Sequence, residues 1–526
     1  MKDIEIPLQP QKTKKYIFFE KVPALLSWSL LLLPIVLSQI SPPLTALFIL
    51  TYLLMWFARA IGMNIRVLHA WKVLHEHQRQ NWEILLNDLE HRTVSNNTPV
   101  WHGRSIKRLD KYPAKFKPSE VVHGVIIAVY NESVDIVEPT IKAVIASNFD
   151  KNKIALTIAC EQRGGKAVEK TVKDLIEKYR KHFMMADVYM HPMDIPDEVI
   201  GKGGNINFAG RKLQAWFESK SIDPARVLIT ILDADNRPHP NYLASLTYTF
   251  CLCPEPKYIS FQPTPIFSNN IWDVPAPMRV IATGNSFWMV VLSMREHMLR
   301  NFSAHAQPLD ALIETDFWSS RTIVEDGHQF WRSYFKFNGK YEVYPVYSSI
   351  YQDAVLAKTY RATLKAQFIQ LRRWAWGASD IAYVAQKGFL TKNKVPKVDL
   401  FIKLFRLIEG HVSWATAPII VTFAAFVPII FNSDDIAANQ LPNLASYIQR
   451  IAMVGLIITM YLSFKSLPPK PARYKRHRSI FLVFQWVLLP VTGILYNALS
   501  AQVAQNRLLF GKYLDKFDVT EKSVRK

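Results

Sequence analysis

Four acidic side chains follow largely apolar segments, a pattern typical of a ligand site at the edge of a sheet. Asp233 and Asp235, one residue apart, follow one such segment, and Glu132 and Glu161 follow two earlier ones. Carboxylate oxygens are hard ligands that suit Mg²⁺ or Mn²⁺, and such an ion can neutralise a diphosphate leaving group. The Asp-x-Asp pair alone is a weak signal, because a helix cap or a turn before Pro238 would use the same residue type.

Three further segments carry residue types suited to binding an anion or moving a proton. The glycine-rich segment 201–207 contains Lys202, and glycines let a backbone approach a ligand closely. Its spacing is not that of a P-loop. Glu325 and Asp326 are adjacent acids ahead of an aromatic helix. Segment 370–377 combines arginine with tryptophan, which can bind a phosphate and stack on a ring, or lie at the headgroup level of a membrane.

Alternating strand and helix patterns predict the elements that must position these side chains. Near-continuous apolar strands between amphipathic helices are typical of an α/β domain with a mainly parallel sheet covered on both faces. Ligands of such sheets bind at the carboxyl ends of the strands, where the acidic residues lie. The predicted strands are 121–129, 154–160, 186–190 and 227–232, and the predicted helices are 134–146, 168–183 and 205–219.

A long apolar run before this domain predicts a pair of membrane-spanning helices. Residues 22–58 carry no charged side chain, and one helix of that length would exceed a hydrocarbon core of about 30 Å. Pro42 and Pro43 break the run, so we expect a hairpin of helices 24–40 and 44–63. A cleaved signal peptide fits less well, because the run is too long and has no clear cleavage site.

Three more apolar runs lie near the C-terminus, at 411–433, 451–464 and 479–506. Lys and Arg concentrate in segment 1–23, loop 467–478 and tail 507–526, whereas loop 432–449 has neither. Because cytoplasmic segments carry the excess of basic residues, we expect those three segments and the central domain to be cytoplasmic. Basic segments on both sides of 479–506 favour a run that dips into the membrane and returns, or lies in the interface; a third full span is the alternative.

The composition excludes several classes of protein. The chain has 526 residues and a net charge of +21, but it is 49% hydrophobic and only 20% charged. A soluble nucleic-acid binder of this net charge would carry more charged residues and fewer apolar runs. Three cysteines cannot build a disulfide-rich secreted fold, and the apolar content excludes disorder. Anionic headgroups and an anionic ligand explain the basic excess better than nucleic acid does.

Polar motifs concentrate in the central domain rather than in the apolar runs, which argues against a transporter or a channel. Membrane segments therefore flank one soluble domain. The predicted division is an N-terminal cytoplasmic segment at 1–23, a transmembrane hairpin at 24–63, a juxtamembrane helical linker at 64–118, the central domain at 119–395, an interfacial helix at 396–410, a C-terminal transmembrane region at 411–506 and a basic tail at 507–526.

In their order along the chain, these motifs resemble those of the membrane-bound family 2 glycosyltransferases, the group of the cellulose, chitin and hyaluronan synthases. The resemblance covers about 121–377 and the flanking membrane segments. The family patterns are Tyr-Asn-Glu, Lys-x-Gly-x-x-Asn, Asp-x-Asp, Thr-Glu-Asp and Gln-x-x-Arg-Trp, here at 130–132, 202–207, 233–235, 324–326 and 370–374. Segment 517–522 is similar to the cytoplasmic Phe-x-Val-Thr-x-Lys gating segment of cellulose synthases.

The chain also departs from the family pattern. Ala128 replaces the usual proline before Tyr-Asn-Glu, Glu161 replaces the aspartate after the second strand, and Val324 replaces the threonine. We expect four full spans and one further segment, fewer than in the large polymer-secreting synthases. This smaller number argues against a continuous polymer channel through one chain.

The resemblance implies a GT-A (Rossmann-like) catalytic domain and an inverting transfer from a nucleotide-diphosphate sugar, most commonly a UDP-sugar. The acceptor is a polysaccharide or a lipid-linked molecule, and the implied location is the bacterial inner (plasma) membrane with the catalytic domain in the cytoplasm. The membrane lipids are partners, partner subunits are left open, and no nucleic acid is expected. A catalytically silent scaffold that binds nucleotide sugar or polysaccharide is the alternative, and a donor-hydrolysis assay separates the two.

The resemblance also implies roles for individual residues. Asp326 is the expected general base with Glu325 beside it, and His328 is interpreted as a structural residue. Asp235 and Asp233 are expected to hold Mg²⁺ or Mn²⁺. The remaining implied contacts are to the donor from Glu132, Glu161, Lys202, Asp233, Gln370, Arg373 and Trp374, and to the acceptor from Gly284, Asn285, Ser286 and Trp374.

Overall fold

An eight-stranded mixed sheet forms the centre of the protein, in a computed structural model that describes residues 4–474 and 482–514. The strands are β1 (Val122–Val129), β2 (Ile154–Glu161), β3 (Met185–His191), β4 (Val227–Asp233), β5 (Arg237–Pro238), β6 (Ile259–Phe267), β7 (His305–Pro308) and β8 (Glu342–Gln352). Their order across the sheet is β3-β2-β1-β4-β7-β6-β8-β5. The pairs among β1 to β4 and the pair β6–β8 are parallel, whereas β7 and β5 run antiparallel to their neighbours.

Helices cover the sheet and form the apolar segments towards both ends of the chain. Their starts follow capping residues in several cases; Thr13 and Thr359 each accept a hydrogen bond from a backbone N–H three residues on. In chain order the helices are α1 (Lys14–Ile40), α2 (Pro42–Gln78), α3 (Trp82–His91), α4 (Val100–Arg108), α5 (Val134–Ile145), α6 (Lys166–Tyr179), α7 (Lys202–Ser219), α8 (Tyr242–Cys251), α9 (Ala276–Ser293), α10 (Leu309–Glu314), α11 (Glu325–Lys336), α12 (Tyr360–Ala375), α13 (Asp380–Ala385), α14 (Lys397–Phe423), α15 (Val427–Phe431), α16 (Ile436–Ala452), α17 (Val454–Ser466), α18 (Leu489–Thr492) and α19 (Leu499–Leu509).

Alternate side chains of the central strands enter two different cores, as the period of two in a strand requires. Val125 and Ile127 of β1 pack with α5, α6 and α8 on one face of the sheet. Ile126 packs with α7 and α10 on the other face. Burial on both faces explains why β1 and β2 are apolar almost throughout. The predicted α/β class, with helices on both faces of the sheet, is therefore confirmed.

The first four predicted strands agree with β1 to β4 within one residue at each end. Helix α7 begins at Lys202, three residues before the predicted start, so Lys202 opens a helix rather than ending a loop. Strand β6 was not predicted, because Pro263 and Pro265 lie within it and proline disfavours a central strand. The pairing of β6 with β8 tolerates them through a register shift after Pro263.

Five helical segments are long and apolar enough to cross a membrane: Lys14–Ile40, Pro42–Gln78, Lys397–Phe431, Ile436–Ser466 and Leu482–Leu509. Three predicted boundaries change. The predicted interfacial helix at 396–410 and the following span form one continuous helix, α14. No proline or glycine lies between its start and Gly410. The predicted loop 432–449 is mostly α16, and α2 continues fifteen residues past the predicted end of the hairpin at position 63.

The segment predicted to dip and return is one helical run over Leu482–Leu509, so a reversal of the chain within it is wrong. Both ends of the run contact the sheet domain. At the first end Gln485 accepts a hydrogen bond of 2.7 Å from Arg279, and at the other Leu508 packs with Val324. The expected gating segment at 517–522 lies outside the described residues.

Candidate active site

Lys202 joins two of the predicted motifs at the carboxyl end of the sheet. Its Nζ lies 2.6 Å from Asp233 Oδ1, at the end of β4, and 3.8 Å from Glu325 Oε1, at the start of α11. The same ammonium group donates to the Ser303 carbonyl oxygen at 3.2 Å, while Ser303 Oγ donates to Asp233 Oδ2 at 2.7 Å. Residues from three other parts of the sequence thus surround the Lys202 ammonium group. We call Lys202, Asp233, Glu325 and Asp326 the lysine centre.

Glycine at position 203 allows this convergence. A Cβ atom on Gly203 would clash with the Ser319 carbonyl oxygen and lie 3.2 Å from Glu325 Cβ. The absence of a side chain therefore lets the start of α7 lie directly against the start of α11. The glycine-rich segment was predicted to let the backbone approach a ligand closely. In the structure, Gly203 allows two helices, α7 and α11, to approach each other closely.

Burial and like charge act together on the two adjacent acids. Burial raises the pKa of Glu325 to about 7; the Lys202 ammonium opposes this shift and the Asp326 carboxylate adds to it. Burial also raises the pKa of Asp326, against the lowering effect of Lys202 and of the more distant Arg373. Glu325 is buried, whereas Asp326 is half-buried. Asp326 is thus the acid of the pair with the better access to a substrate.

Asp235, two residues after Asp233, makes contacts that are separate from those of the lysine centre. It is buried, and its Oδ2 accepts a hydrogen bond of 3.0 Å from the backbone N–H of Asp353. Asn269 holds the same turn by donating to the Asp235 carbonyl oxygen at 3.0 Å. The described residues contain no group of three His, Cys, Asp or Glu side chains that could hold a metal ion. Two carboxylates fit Mg²⁺ or Mn²⁺ of the kind whose other ligands are phosphate oxygens and water.

The Gln-x-x-Arg-Trp residues lie on α12, next to the lysine centre. The guanidinium of Arg373 is near enough to Asp326 to lower its pKa. The half-buried Trp374 has its ring 6.1 Å from that of Phe267, at the end of β6. Gln370 accepts a hydrogen bond of 3.2 Å from Gln367. Arg373 is therefore the member of this motif that the fold brings to the two acids.

Glu132 and Glu161 lie at the ends of β1 and β2, at the same edge of the sheet as Asp233. Glu132 Oε2 accepts from the backbone N–H of Tyr130 at 2.8 Å, within its own turn. Glu161 is buried; its Oε2 lies 3.1 Å from Arg163 Nη2 and 3.4 Å from His191 Nδ1. With His191, these acids form what we call the β1–β2 edge.

Sequence analysis did not identify His191, which is the last residue of β3. Its Nε2 lies 3.0 Å from Glu198, so the ring bridges two carboxylates. Burial lowers its pKa, but the hydrogen bonds to Glu161 and Glu198 outweigh burial and raise it to about 9. A histidine at the end of a third consecutive strand was the available signal.

The residues predicted to contact the acceptor lie on α9 and differ in exposure. Gly284 is exposed, Asn285 is half-buried and Ser286 is buried. Ser286 Oγ accepts from the Phe267 N–H at 2.9 Å and donates to the Ala282 carbonyl oxygen at 2.9 Å. These two bonds engage the Ser286 hydroxyl within the fold, so Gly284 and Asn285 are the more accessible part of this segment.

Two further contacts hold α11, and sequence analysis predicted the partner in neither. His328 Nδ1 lies 2.7 Å from Asp380 Oδ1 in a buried pair, which agrees with its interpretation as a structural residue. Glu5, from the segment before α1, lies 3.2 Å from the buried Arg332 guanidinium and accepts a hydrogen bond from Ser319. No local pattern connects residue 5 with α11, because the contact spans more than 300 residues.

Three solved structures are similar to this chain at low identity, with TM-scores below 0.5. The mannosyltransferase from Pyrobaculum calidifontis, in complex with GDP-Man and Mn²⁺, is 13% identical, covers 88% of this chain and 100% of its own, and has a TM-score of 0.43. S. aureus TarS is 13% identical over 68% of this chain and 56% of its own, at 0.35. S. aureus TarS 1–349 in complex with UDP-GlcNAc is 11% identical over 75% and 93%, at 0.35.

The comparison with curated proteins gives no match. The profile described as "Glycosyl transferase family group 2" matches residues 228–501, which is more than half of the chain. The matched part begins in β4 and includes Asp233, Glu325 and the Gln-x-x-Arg-Trp motif. The chain therefore belongs to the glycosyl transferase family group 2, and it is a glycosyltransferase.

Proposed function

We propose that this enzyme inverts configuration while transferring a sugar from a nucleotide-diphosphate sugar, with UDP as the nucleotide, to a polysaccharide or lipid-linked acceptor. The lysine centre carries this proposal. Lys202 lies between Asp233, the first acid of the Asp-x-Asp motif, and Glu325, and the half-buried Asp326 is next in sequence to Glu325. Burying these charges lowers the stability of the fold unless they are paired. A catalytically silent scaffold would have no use for such buried charges.

The proposed reaction is a single displacement. Asp326 accepts the proton of the acceptor hydroxyl, and the hydroxyl oxygen forms a bond to the anomeric carbon of the sugar. The bond between that carbon and the diphosphate oxygen breaks, and the nucleoside diphosphate leaves with the bonding electrons. Attack from the side opposite the leaving group inverts the configuration at the anomeric carbon.

The charges around Asp326 suit a general base. Burial raises its pKa and so increases its affinity for a proton, while the Lys202 ammonium group opposes that rise. The second acid, Glu325, faces Lys202 and helps to hold that cation in place. Asp326 is thereby poised to accept a proton.

Asp233 and Asp235 would hold Mg²⁺ or Mn²⁺ together with the donor diphosphate. A bound divalent ion would neutralise charge on the departing diphosphate. Within the chain itself, Arg373 is placed to pair with the same group from the side of Asp326. Lys202 would face the nucleotide once the donor is bound, as a second positive charge.

The β1–β2 edge would bind the nucleoside. Glu132 and Glu161 lie one and two strands from Asp233 in the sheet, which suits contacts with the ribose and the base. On the acceptor side, Trp374 and Gln370 would border the entrance, with Gly284, Asn285 and Ser286 lining the site. Five apolar helical segments support an integral membrane protein. The proposed location is the bacterial inner membrane, with this domain in the cytoplasm.

A panel of radiolabelled nucleotide sugars tests the proposal. The full chain in membrane vesicles is incubated with each donor and Mg²⁺ or Mn²⁺, and the product is sized and extracted with organic solvent. Transfer to a large or lipid-extractable product is expected with one UDP-sugar and is lost in EDTA. Binding of a donor without hydrolysis or transfer would favour the silent scaffold, and turnover that persists in EDTA would contradict the metal role.

A further inference from the structure

Arginines from three separate segments converge where α2 and α14 meet the sheet domain. Arg59 and Arg66 lie on α2, and Arg406 lies on α14. Arg295 and Arg300 lie in the segment that follows α9. We call these five residues the arginine cluster. None of them belongs to a motif of the proposed reaction.

Contacts between the helices fix the position of the cluster. Arg59 Nη1 lies 2.6 Å from Glu409 Oε1, and residues earlier in α2 pack with residues later in α14, so the helices run antiparallel. Arg66 is two turns beyond Arg59, and Arg406 is one turn before Glu409, which places both towards the sheet domain. Arg406 donates to the His297 carbonyl oxygen at 3.4 Å and so joins α14 to the segment after α9.

The cluster has more positive charge than its neighbours neutralise. Val67, which follows Arg66, and Met294, which precedes Arg295, pack in one apolar cluster. Burial lowers the pKa of Arg295, and the guanidinium groups of Arg66 and Arg406 lower it further. Glu409 opposes this shift but is paired with Arg59. Within residues 4–474 and 482–514, Arg66, Arg295 and Arg406 form no ion pair with a carboxylate.

Exposed apolar side chains surround the cluster on the two spanning helices. Ile65 is 64% exposed on α2, and Phe405 is 60% exposed on α14, each next in sequence to an arginine of the cluster. Such side chains would lie among acyl chains in a membrane, with the guanidinium groups at the level of the headgroups. An anion that reaches these arginines is therefore one carried by a lipid.

We propose that Arg66, Arg295 and Arg406 bind the phosphate of an anionic phospholipid in the leaflet that faces the sheet domain. Basic pockets between spanning helices are a recurring way to bind such headgroups. The general excess of basic residues on the cytoplasmic side explains arginines on α2 and α14. It does not explain Arg295, which is half-buried and comes from the sheet domain. A lipid bound here would connect the two spanning helices to the catalytic domain.

Native mass spectrometry of the full chain in detergent tests the site. The protein is titrated with palmitoyl-oleoyl phosphatidylglycerol or with the phosphatidylcholine of the same chains, and retained lipid is counted. Phosphatidylglycerol should be retained preferentially, and R66Q/R295Q/R406Q should weaken its retention at least about tenfold, given about fivefold per arginine near a surface. Inorganic phosphate at equal concentration should not displace the lipid.

Matched variants separate charge from folding. Arg180→Gln removes one exposed arginine of the sheet domain and should retain the lipid as the unmodified chain does. R66K/R295K/R406K keeps the charge and should retain most of the binding; if the glutamine variant fails to fold, R66Q and R406Q are measured singly. Equal retention of phosphatidylcholine, displacement by inorganic phosphate, or unchanged retention in the folded glutamine variants would overturn the proposal. The measurement needs no sugar donor, so its failure is distinct from failure of the proposed transferase.

Discussion

The lysine centre and the β1–β2 edge occupy the same edge of the sheet, but they are assembled differently. At the β1–β2 edge, Glu132 is held by its own turn, and Glu161 is held by Arg163, two residues away, and by His191 at the end of the adjacent strand β3. At the lysine centre, the contacts join β4, α7 and α11, which are far apart in the sequence. Local assembly suits the binding of a donor, whereas the long-range assembly concentrates buried charge where the chemistry would occur. Substitutions at the lysine centre should therefore lower kcat, and those at the edge should act on donor binding.

The largest effect is expected from Asp326→Asn. The variant keeps the shape of the side chain but cannot accept the proton, so kcat should fall by roughly 100- to 10,000-fold. Donor affinity, measured by calorimetry on the same preparation, should change by less than about twofold. The half-buried Asp316, paired with Arg211 at 2.7 Å, supplies the control Asp316→Asn, which should keep full activity. Retained turnover in Asp326→Asn would remove Asp326 as the base.

Lys202→Met should lower both activity and stability. Without the ammonium group, Asp233 and Glu325 lose their shared cation, which we expect to cost about 3 kcal/mol and to lower kcat by about 100-fold. Thermal unfolding and turnover measure the two effects. The exposed pair Lys173–Glu169 supplies the control Lys173→Met, whose unfolding should change by less than about 0.5 kcal/mol. An unchanged melting temperature in Lys202→Met would argue against the bridging role.

Glu5→Gln should reduce kcat about fivefold without changing KM for the donor. The substitution removes the ion pair between Glu5 and Arg332, a residue of α11. The helix α11, which carries Asp326, is then held less firmly in position. Glu5→Asp should restore part of the rate, which a merely structural defect would not predict. Glu314→Gln, which breaks an exposed contact with Lys257, is the control. A matching loss in Glu314→Gln would contradict this positioning role.

The smallest effect is a pH dependence that originates at His191. Its pKa is raised from about 6.5 to about 9, so the protonated ring stabilises the fold fully below pH 6.5 and this stabilisation is lost as pH rises through 9. Thermal unfolding of the unmodified chain and of His191→Gln between pH 6 and 10 should therefore converge at high pH. A constant difference across this range would show that His191 does not bridge Glu161 and Glu198 as a cation.

The predictable parts of the molecule are the elements whose structure follows from their own local sequence. β1, β2 and β4 could be predicted because both faces of each strand are buried, and the acids at their ends could be predicted with them. β3, at the edge of the sheet, is mostly half-buried. β6 could not be predicted because its prolines hide the strand pattern. The membrane helices could be found from apolar length, but their ends could not, since α2 and α14 continue as helices through polar sequence.

The contacts within the site depended on tertiary structure. The motifs predicted that Lys202, Asp233 and Glu325 matter, but not that the first would bridge the other two. Ser303 and Glu5 belong to no motif, and their roles follow only from packing. Periodicity reports which face of an element is buried; it does not report which distant element covers that face.

The configuration of the product tests the central claim most directly. With the donor identified by the radiolabel panel, proton NMR of the first product gives the anomeric configuration of the transferred sugar. A single displacement at Asp326 predicts the configuration opposite to that of the donor. The same configuration as the donor would contradict the account, because it would require two successive displacements.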